Sequence, residues 1–297
     1  MRKLVISAAL LSVSLIAFQL ILMQILSIVQ WYHFAYMVIS VALLAFGASG
    51  TAIALAREWF LDRADFLTPL FMILSGAAMA VVVRVSQSDA VRFDSYLLFV
   101  EPGQVRALLL TYLTLVVPLF FGALALGLIF VRHARHIGGV YAANLVGSGV
   151  GGVAALALLS LLLPTKLPPL VSLLPIAAGL LILPSNKKTS LVMTAFAAIG
   201  IAVYSFHAPS DVTLSEYKGL ARTMNLPDAK IEIERSSPHG LVQVVSSPAL
   251  RYAPGLSVNY AQPVSPCKVL FNNGDWFGPV VSEKGGVQTL GSSTSAL

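Results

Sequence analysis

Charged residues are scarce in this chain. Only 11% of its 297 residues are Asp, Glu, Lys or Arg, whereas 57% are hydrophobic. Ordinary globular domains carry about a quarter charged residues. This deficit, together with long apolar stretches, excludes a typical water-soluble protein. It predicts a chain that crosses a membrane several times.

Cysteine is almost absent, because Cys267 is the only one. A single cysteine excludes an intrachain disulfide and a cysteine-based metal site. The loop that carries His133 and His136 offers too few further ligands for a metal ion, and we expect it to contact lipid head groups instead. No metal site is predicted.

Acidic residues are missing from position 102 to position 210. The basic excess of the chain also lies in its first part: residues 1–206 contain 12 Lys or Arg and 6 Asp or Glu, whereas residues 207–297 contain 7 of each. A nucleic-acid-binding tail would need its own basic cluster, so we do not expect nucleic acid as a partner. The expected partner of residues 1–206 is the lipid bilayer.

Seven apolar segments are long enough to cross a hydrocarbon core about 30 Å thick. They cover residues 4–29, 33–56, 66–85, 104–131, 137–163, 168–184 and 188–206. The first follows Arg2 and Lys3, as a signal peptide would, but it is too long to be one. The sequence therefore predicts an all-α polytopic membrane bundle of about seven transmembrane helices over residues 1–206.

The cations between these segments predict the orientation of the chain. With the N-terminus inside, eight Lys or Arg fall on the inner side and four on the outer side, which agrees with the positive-inside rule. The inner set is Arg2, Lys3, Arg57, Arg63, Arg132, Arg135, Lys187 and Lys188, and the outer set is Arg84, Arg92, Arg106 and Lys166. Seven crossings then place the tail on the outer face, and one miscounted segment would reverse that side.

The pattern changes after the last apolar segment. Residues 207–229 are predicted to be a linker with a short helix, and residues 230–297 a small β-hairpin-rich appendage. Strands are expected at 230–235, 241–245, 256–260 and 268–271, because these runs are short and alternate or are β-branched. A long loop is expected after residue 245. Four short strands make a marginal domain. We therefore expect the appendage to pack against the membrane part, another chain or a continuation of the chain.

One motif, Gly-Ser-Gly-Val-Gly-Gly at residues 147–152, matches a dinucleotide-binding fingerprint. That interpretation requires a preceding strand and a downstream acidic residue, and neither is present. The alternative is close helix packing, because small residues recur every four positions. The packing set is Ala143, Gly147, Gly151 and Ala155.

Few polar side chains lie inside the apolar segments. Gln19 and Gln24 occur in the first segment and Asn144 in the fifth. We expect a structural hydrogen bond between helices, with Asn144 as the partner of a glutamine. The alternative is the lining of a polar pathway in a transporter. At the membrane edge, Trp31, Tyr32 and His33 are predicted to be interfacial.

Two membrane stretches and the tail resemble a known family. The stretches are "WYHFAYMVISVALLAFGASG" and "YAANLVGSGVGG", and the tail contains "SSPHGLVQVVSSPALRYAPGLSVNYAQP" followed by "LFNNGDWFGP". They resemble membrane-fused spermidine synthase-like (aminopropyltransferase-like) proteins of bacteria. The resemblance implies location in the bacterial cytoplasmic membrane, with the tail as the N-terminal β segment of a synthase domain.

The resemblance also implies site residues. Gly274 and Asp275 match the border of the substrate cleft. The Tyr-His-Glu cluster that helps soluble members to bind polyamine does not follow them, and Gln19 and Gln24 replace the Glu and Arg common in membrane-fused members. No glycine-rich segment for the S-adenosylmethionine-type cofactor occurs up to Leu297.

We therefore expect this chain to be the membrane portion of a spermidine synthase-like fusion protein, without catalytic residues and without a cofactor of its own. Aminopropyl transfer would require an S-adenosylmethionine-binding domain. A membrane scaffold or accessory subunit, with another protein docked on residues 230–297, is the alternative, and a small-molecule transporter is a third. The cytosolic cofactor conflicts with a tail on the outer face.

Overall fold

The computed structural model describes residues 1–184, 188–208, 213–252, 263–264 and 266–280. Its contacts divide the chain into two units, Met1–Thr213 and Leu214–Leu297. The first unit is helical. Its α-helices are α1 (Arg2–Val29), α2 (Met37–Leu55), α3 (Arg57–Asp62), α4 (Ala64–Ser86), α5 (Pro102–Arg132), α6 (Ile137–Leu161), α7 (Leu167–Leu181) and α8 (Lys188–His207).

Within the described residues, seven helical segments are long and apolar enough to cross a membrane, which confirms the predicted number. They are Arg2–Val29, Tyr32–Leu55, Ala64–Ser86, Pro102–Arg132, Ala134–Leu161, Pro164–Leu181 and Lys188–His207. Most of the predicted bounds differ from these by one to three residues. The sixth segment starts four residues earlier than predicted, because a 3-10 turn at Pro164–Lys166 leads into α7.

Helices α1 and α4 each pack against several other helices. Helix α1 packs against α6 and α7, while α4 packs against α5, α7 and α8, and α2 packs against α5. Phe18, Leu11 and Ile21 on α1 have no exposed surface. Large apolar side chains on the outer helices, such as Leu43 of α2 and Val153 of α6, are exposed. Apolar side chains therefore occur both in the core and on the outer surface, as is typical of helices surrounded by lipid.

The connection from α4 to α5 folds back onto the end of α1. Gln30 makes two hydrogen bonds there: its Nε2 donates to the carbonyl of Phe93 at 2.6 Å, and its Oε1 accepts from the backbone N–H of Ser95 at 3.1 Å. The Thr111 hydroxyl donates to the carbonyl of Val91 at 2.7 Å. These bonds hold a connection that consists of turns between Ser86 and Pro102.

The second unit contains a short helix, α9 (Gly219–Met224), and a four-stranded antiparallel sheet in the order β1-β2-β3-β4. The strands are β1 (Lys230–Ser237), β2 (Gly240–Arg251), β3 (Pro266–Asn272) and β4 (Asp275–Val280). The predicted small β appendage is therefore confirmed. Its core contains Val245, Val269 and Phe271, none of which is exposed, together with Leu220 and Leu250.

Two parts of the strands were not predicted. The loop expected after residue 245 is partly strand, because a register shift between Ser246 and Arg251 accommodates Pro248 within β2. Strand β4 was missed, because Gly278 and Pro279 argue against a strand; β4 lies at the edge of the sheet, where a proline is tolerated. The strand predicted at 256–260 lies outside the described residues.

Candidate functional site

The predicted cleft residues lie in the tight turn between β3 and β4. Asn273 and Gly274 have φ values of 53° and 78°. Two consecutive residues in the left-handed region are typical of a type I′ hairpin turn, for which Asn-Gly is the preferred pair. A Cβ atom on Gly274 would also lie 3.1 Å from Lys218 Cδ. Both the backbone conformation and the space therefore favour glycine at this position.

Beneath this turn lies a lysine that the sequence did not single out. The side chain of Lys218 is 0% exposed, its Nζ donates to the carbonyl of Asn273 at 2.6 Å, and it forms an ion pair with Asp275 Oδ2 at 3.2 Å. Burial lowers the pKa of Lys218, and the negative charge of Asp275 opposes this effect. Lys218 was missed because a single lysine in a polar segment carries no signal of burial.

Backbone bonds fasten the same turn to its neighbours. The N–H of Leu220 at the start of α9 donates to the carbonyl of Gly274 at 2.9 Å. Asn273 makes two bonds with Leu241 of β2: its N–H donates to the Leu241 carbonyl at 2.8 Å, and its Oδ1 accepts from the Leu241 N–H at 2.8 Å. The turn is therefore a rigid junction of α9, β2, β3 and β4.

The exposed part of this junction is formed by a carboxylate and aromatic rings. The side chain of Asp275 is 46% exposed, and the half-exposed ring of Trp276 follows it. The Trp276 ring centroid lies 5.7 Å from that of Tyr252 and 6.0 Å from that of Phe271. A carboxylate beside aromatic rings is suited to an amine. The carboxylate of Asp275, however, already neutralises Lys218, so this geometry favours support of the turn over binding of a polycation.

One polar contact of the helical unit joins α1 and α6. The Ser12 hydroxyl of α1 lies 2.8 Å from Asn144 Oδ1 of α6 and 2.8 Å from the carbonyl oxygen of Ala8, and can donate to either. Gln19 and Gln24 are half-buried further along α1. At 1.5 Å per residue they lie about 10 and 18 Å beyond Ser12. The described partner of Asn144 on α1 is therefore Ser12.

Helix α6 approaches α1 through its small residues. A Cβ atom on Gly147 would lie 2.5 Å from the carbonyl oxygen of Ala9, and one on Gly151 would lie 2.5 Å from that of Val13. Ala155 continues this face and is completely buried. Ala143, one turn before Gly147, is half-buried. The motif at 147–152 thus lies within a helix that packs directly against another backbone.

The predicted interfacial residues lie between α1 and α2. The ring centroids of Tyr32 and His33 are 3.9 Å apart and stacked, and Trp31 meets Tyr96 edge-on at 5.0 Å. Trp31 and Tyr32 are both exposed.

Within the described residues, no group of three or more His, Cys, Asp or Glu side chains is placed to hold a metal ion.

Comparison with known proteins gives no relative: no protein-family model, no curated protein and no solved structure matches this chain.

Proposed function

We propose that this chain is the membrane-embedded portion of a spermidine synthase-like protein and does not catalyse a reaction by itself. In this proposal the helical unit anchors the protein in the bilayer, and the sheet formed by β1 to β4 is the platform on which an S-adenosylmethionine-binding domain docks. The order of the two units supports the proposal, since the resemblance implies strands directly behind the membrane region.

The observation that carries the proposal is the second face of the sheet. Alternate residues of β2 and β3 point away from the core formed by Val245, Val269 and Phe271. On that second face, Ile233 of β1 lies opposite Val244, and Val244 lies opposite Leu270. Ile233 is 49% exposed, and Val244 and Leu270 are only partly buried. We refer to these three residues as the apolar stripe.

An apolar stripe on a four-stranded sheet is typical of a surface that another protein element covers. The buried Lys218 and the bonds of the β3–β4 turn fix the sheet next to it, so the platform is rigid before docking. Gly274 and Asp275 then support the platform, at the position that the resemblance assigns to the border of the cleft.

The alternative function is a membrane scaffold or accessory subunit, in which a protein of another class covers the apolar stripe. The number of membrane-spanning helices favours this alternative. With seven crossings and the N-terminus inside, as the loop cations indicate, the tail lies on the outer face, away from a cytosolic methionine-derived cofactor. Transport receives less support, because the Ser12–Asn144 contact belongs to a packed interface between helices.

Cofactor binding tests the proposal. The protein is isolated in mild detergent from its native membranes, and binding of radiolabelled S-adenosylmethionine is measured by equilibrium dialysis. We expect binding by the native assembly and none by the purified 297-residue chain. Leu270→Asp should abolish binding by the native assembly, because a buried unpaired charge is costly in a docked interface. His239→Asp, in an exposed turn, is the matched control.

The outcomes separate the two functions. If the native assembly binds no S-adenosylmethionine-type cofactor, the synthase-like proposal is refuted. The scaffold function is then supported if the wild type and His239→Asp retain a stoichiometric protein partner and Leu270→Asp loses it. If the purified chain alone binds the cofactor, docking of a separate domain is not needed and the proposal fails.

A further inference from the structure

A cavity of about 330 Å³ lies between the ends of α1, α4, α5 and α7. This end of the helical unit carries the start of α1, the start of α4 and the last residues of α5 and α7. It is the end to which the sequence assigns eight cations, and Arg2 and Lys3 are exposed there. A volume of this size lies at the lower end of the range for small-molecule sites.

The walls of the cavity are divided by polarity. Leu4, Leu128 and Ile182 line it with apolar surface, and Leu128 is completely buried. Asp65, Thr68, Arg132 and His133 contribute the polar groups. An opening with a polar rim and an apolar wall, at the end of a membrane-spanning bundle, matches a molecule with a charged head and a hydrocarbon chain.

The polar rim carries charges of both signs. Arg132 forms an ion pair with Asp65 Oδ2 at 3.0 Å, and its other terminal nitrogen donates to the carbonyl of Leu61 at 3.1 Å. The Asp65 and Arg132 side chains are 73% and 40% exposed. An exposed ion pair of this kind contributes little stability, so its partners can exchange for groups on a ligand at little cost.

The backbone adds acceptors beside the carboxylate. Pro69 also lines the cavity, and because proline has no N–H it cannot donate the helical hydrogen bond that the carbonyl of Asp65 would otherwise accept. Helix α7 also ends at the cavity, and its last carbonyl oxygens have no acceptor role within the helix, so they are further acceptors. A cation with N–H donors is therefore favoured beside the Asp65 carboxylate, and an anion is favoured beside the Arg132 guanidinium.

We propose that this cavity binds the head group of an aminophospholipid, that is, a phosphodiester linked to a primary ammonium, as in phosphatidylethanolamine. The phosphate replaces Asp65 as the partner of Arg132, and the ammonium donates to the Asp65 carboxylate and the nearby carbonyl oxygens. One acyl chain lies against Leu4 and Ile182. A phosphatidylglycerol head lacks the cation for Asp65, and a choline head lacks N–H donors.

Binding of defined lipids to the delipidated full-length chain tests this assignment. Native mass spectrometry gives the dissociation constants of one-to-one adducts with dioleoyl phosphatidylethanolamine, phosphatidylcholine and phosphatidylglycerol. We expect tightest binding of the ethanolamine lipid. Asp65→Asn should reduce its preference over the choline lipid about fivefold, the factor that corresponds to the upper value for one exposed ion pair. Asp65→Glu should retain the preference.

Arg132→Gln should weaken binding of all three lipids, because each carries the phosphate. The matched controls are Asp62→Asn and Arg135→Gln, which remove exposed charges of the same kind that do not line the cavity. Equal or tighter binding of phosphatidylglycerol, or an unchanged preference in Asp65→Asn, would overturn the proposal. If free phosphoethanolamine displaces the lipid when both are present at the same concentration, the ligand is the free head group and not a lipid.

Discussion

The close approach of α1 and α6 allows a quantitative test of the packing. In Gly151→Ala the new Cβ atom would meet Val13 backbone atoms: the carbonyl oxygen at 2.5 Å, Cα at 3.0 Å and the carbonyl carbon at 3.1 Å. Backbone atoms cannot rotate away, so the helices must separate. Overpacking of this kind typically costs about 1–3 kcal/mol.

The same helix supplies the matched control. A Cβ atom on Gly149 would have no atom within 4 Å. Gly149→Ala therefore tests the effect of replacing glycine by alanine in a helix without a steric clash, and it should be neutral or slightly stabilising. A loss of 1 kcal/mol lowers the midpoint of thermal unfolding by about 2–4 °C in a unit of this size. Gly151→Ala should therefore melt about 2–12 °C below the wild type.

The assay is thermal unfolding of the full chain in detergent, with the midpoint measured for the wild type, Gly151→Ala and Gly149→Ala. Gly147→Ala should resemble Gly151→Ala, because its Cβ atom would lie 2.5 Å from the carbonyl oxygen of Ala9. If Gly151→Ala melts at the same temperature as Gly149→Ala, the close contact between α1 and α6 is refuted.

Three further predictions concern side chains. A double-mutant cycle of Ser12→Ala and Asn144→Ala should give a coupling free energy of about 0.6 kcal/mol, and a value of zero would contradict the interhelical bond. Burial lowers the pKa of Lys218 in the folded protein below its ordinary value of 10.5. Between the folded-state pKa and 10.5, the unfolded chain therefore binds more protons than the folded chain. The free energy of unfolding should rise with pH in that alkaline range. Lys218→Met should remove that rise in denaturant titrations followed by hydrogen exchange in β2 and β3. Burial raises the pKa of the Cys267 thiol, so a maleimide should modify it more slowly at neutral pH than an exposed cysteine placed at His239.

Hydrophobic runs and small-residue spacing predicted the helical unit well. A lipid-spanning helix needs about 20 apolar residues, so the start and end of each run are visible in the sequence. The four-residue spacing from Ala143 to Ala155 indicated a packing face, because a helix places such residues on one side. Which helix would lie against that face depended on the tertiary arrangement, and only the structure identified Ala9 and Val13.

The sheet and its turn were less predictable. Asn273-Gly274 indicated the turn, because this pair favours the left-handed conformation. The strand β4 was hidden by Pro279, since the tolerance of an edge strand for proline depends on the sheet order. Lys218 was hidden for a similar reason: its burial follows from the contacts of α9 with the turn, and the sequence near Lys218 is ordinary.

The number and direction of the membrane crossings distinguish the synthase-like proposal from the scaffold alternative, and one measurement tests them directly. Single cysteines replace the exposed residues Arg135 and His239 in a Cys267→Ser background, and intact cells are treated with a membrane-impermeant maleimide. Seven crossings with the N-terminus inside predict that His239→Cys is labelled in intact cells and that Arg135→Cys is labelled only after permeabilisation. Labelling of both positions from the same side, or the reverse pattern, would contradict seven crossings with the N-terminus inside. Labelling of His239→Cys only after permeabilisation would place the tail on the side of the cytosolic cofactor, as the synthase-like proposal requires.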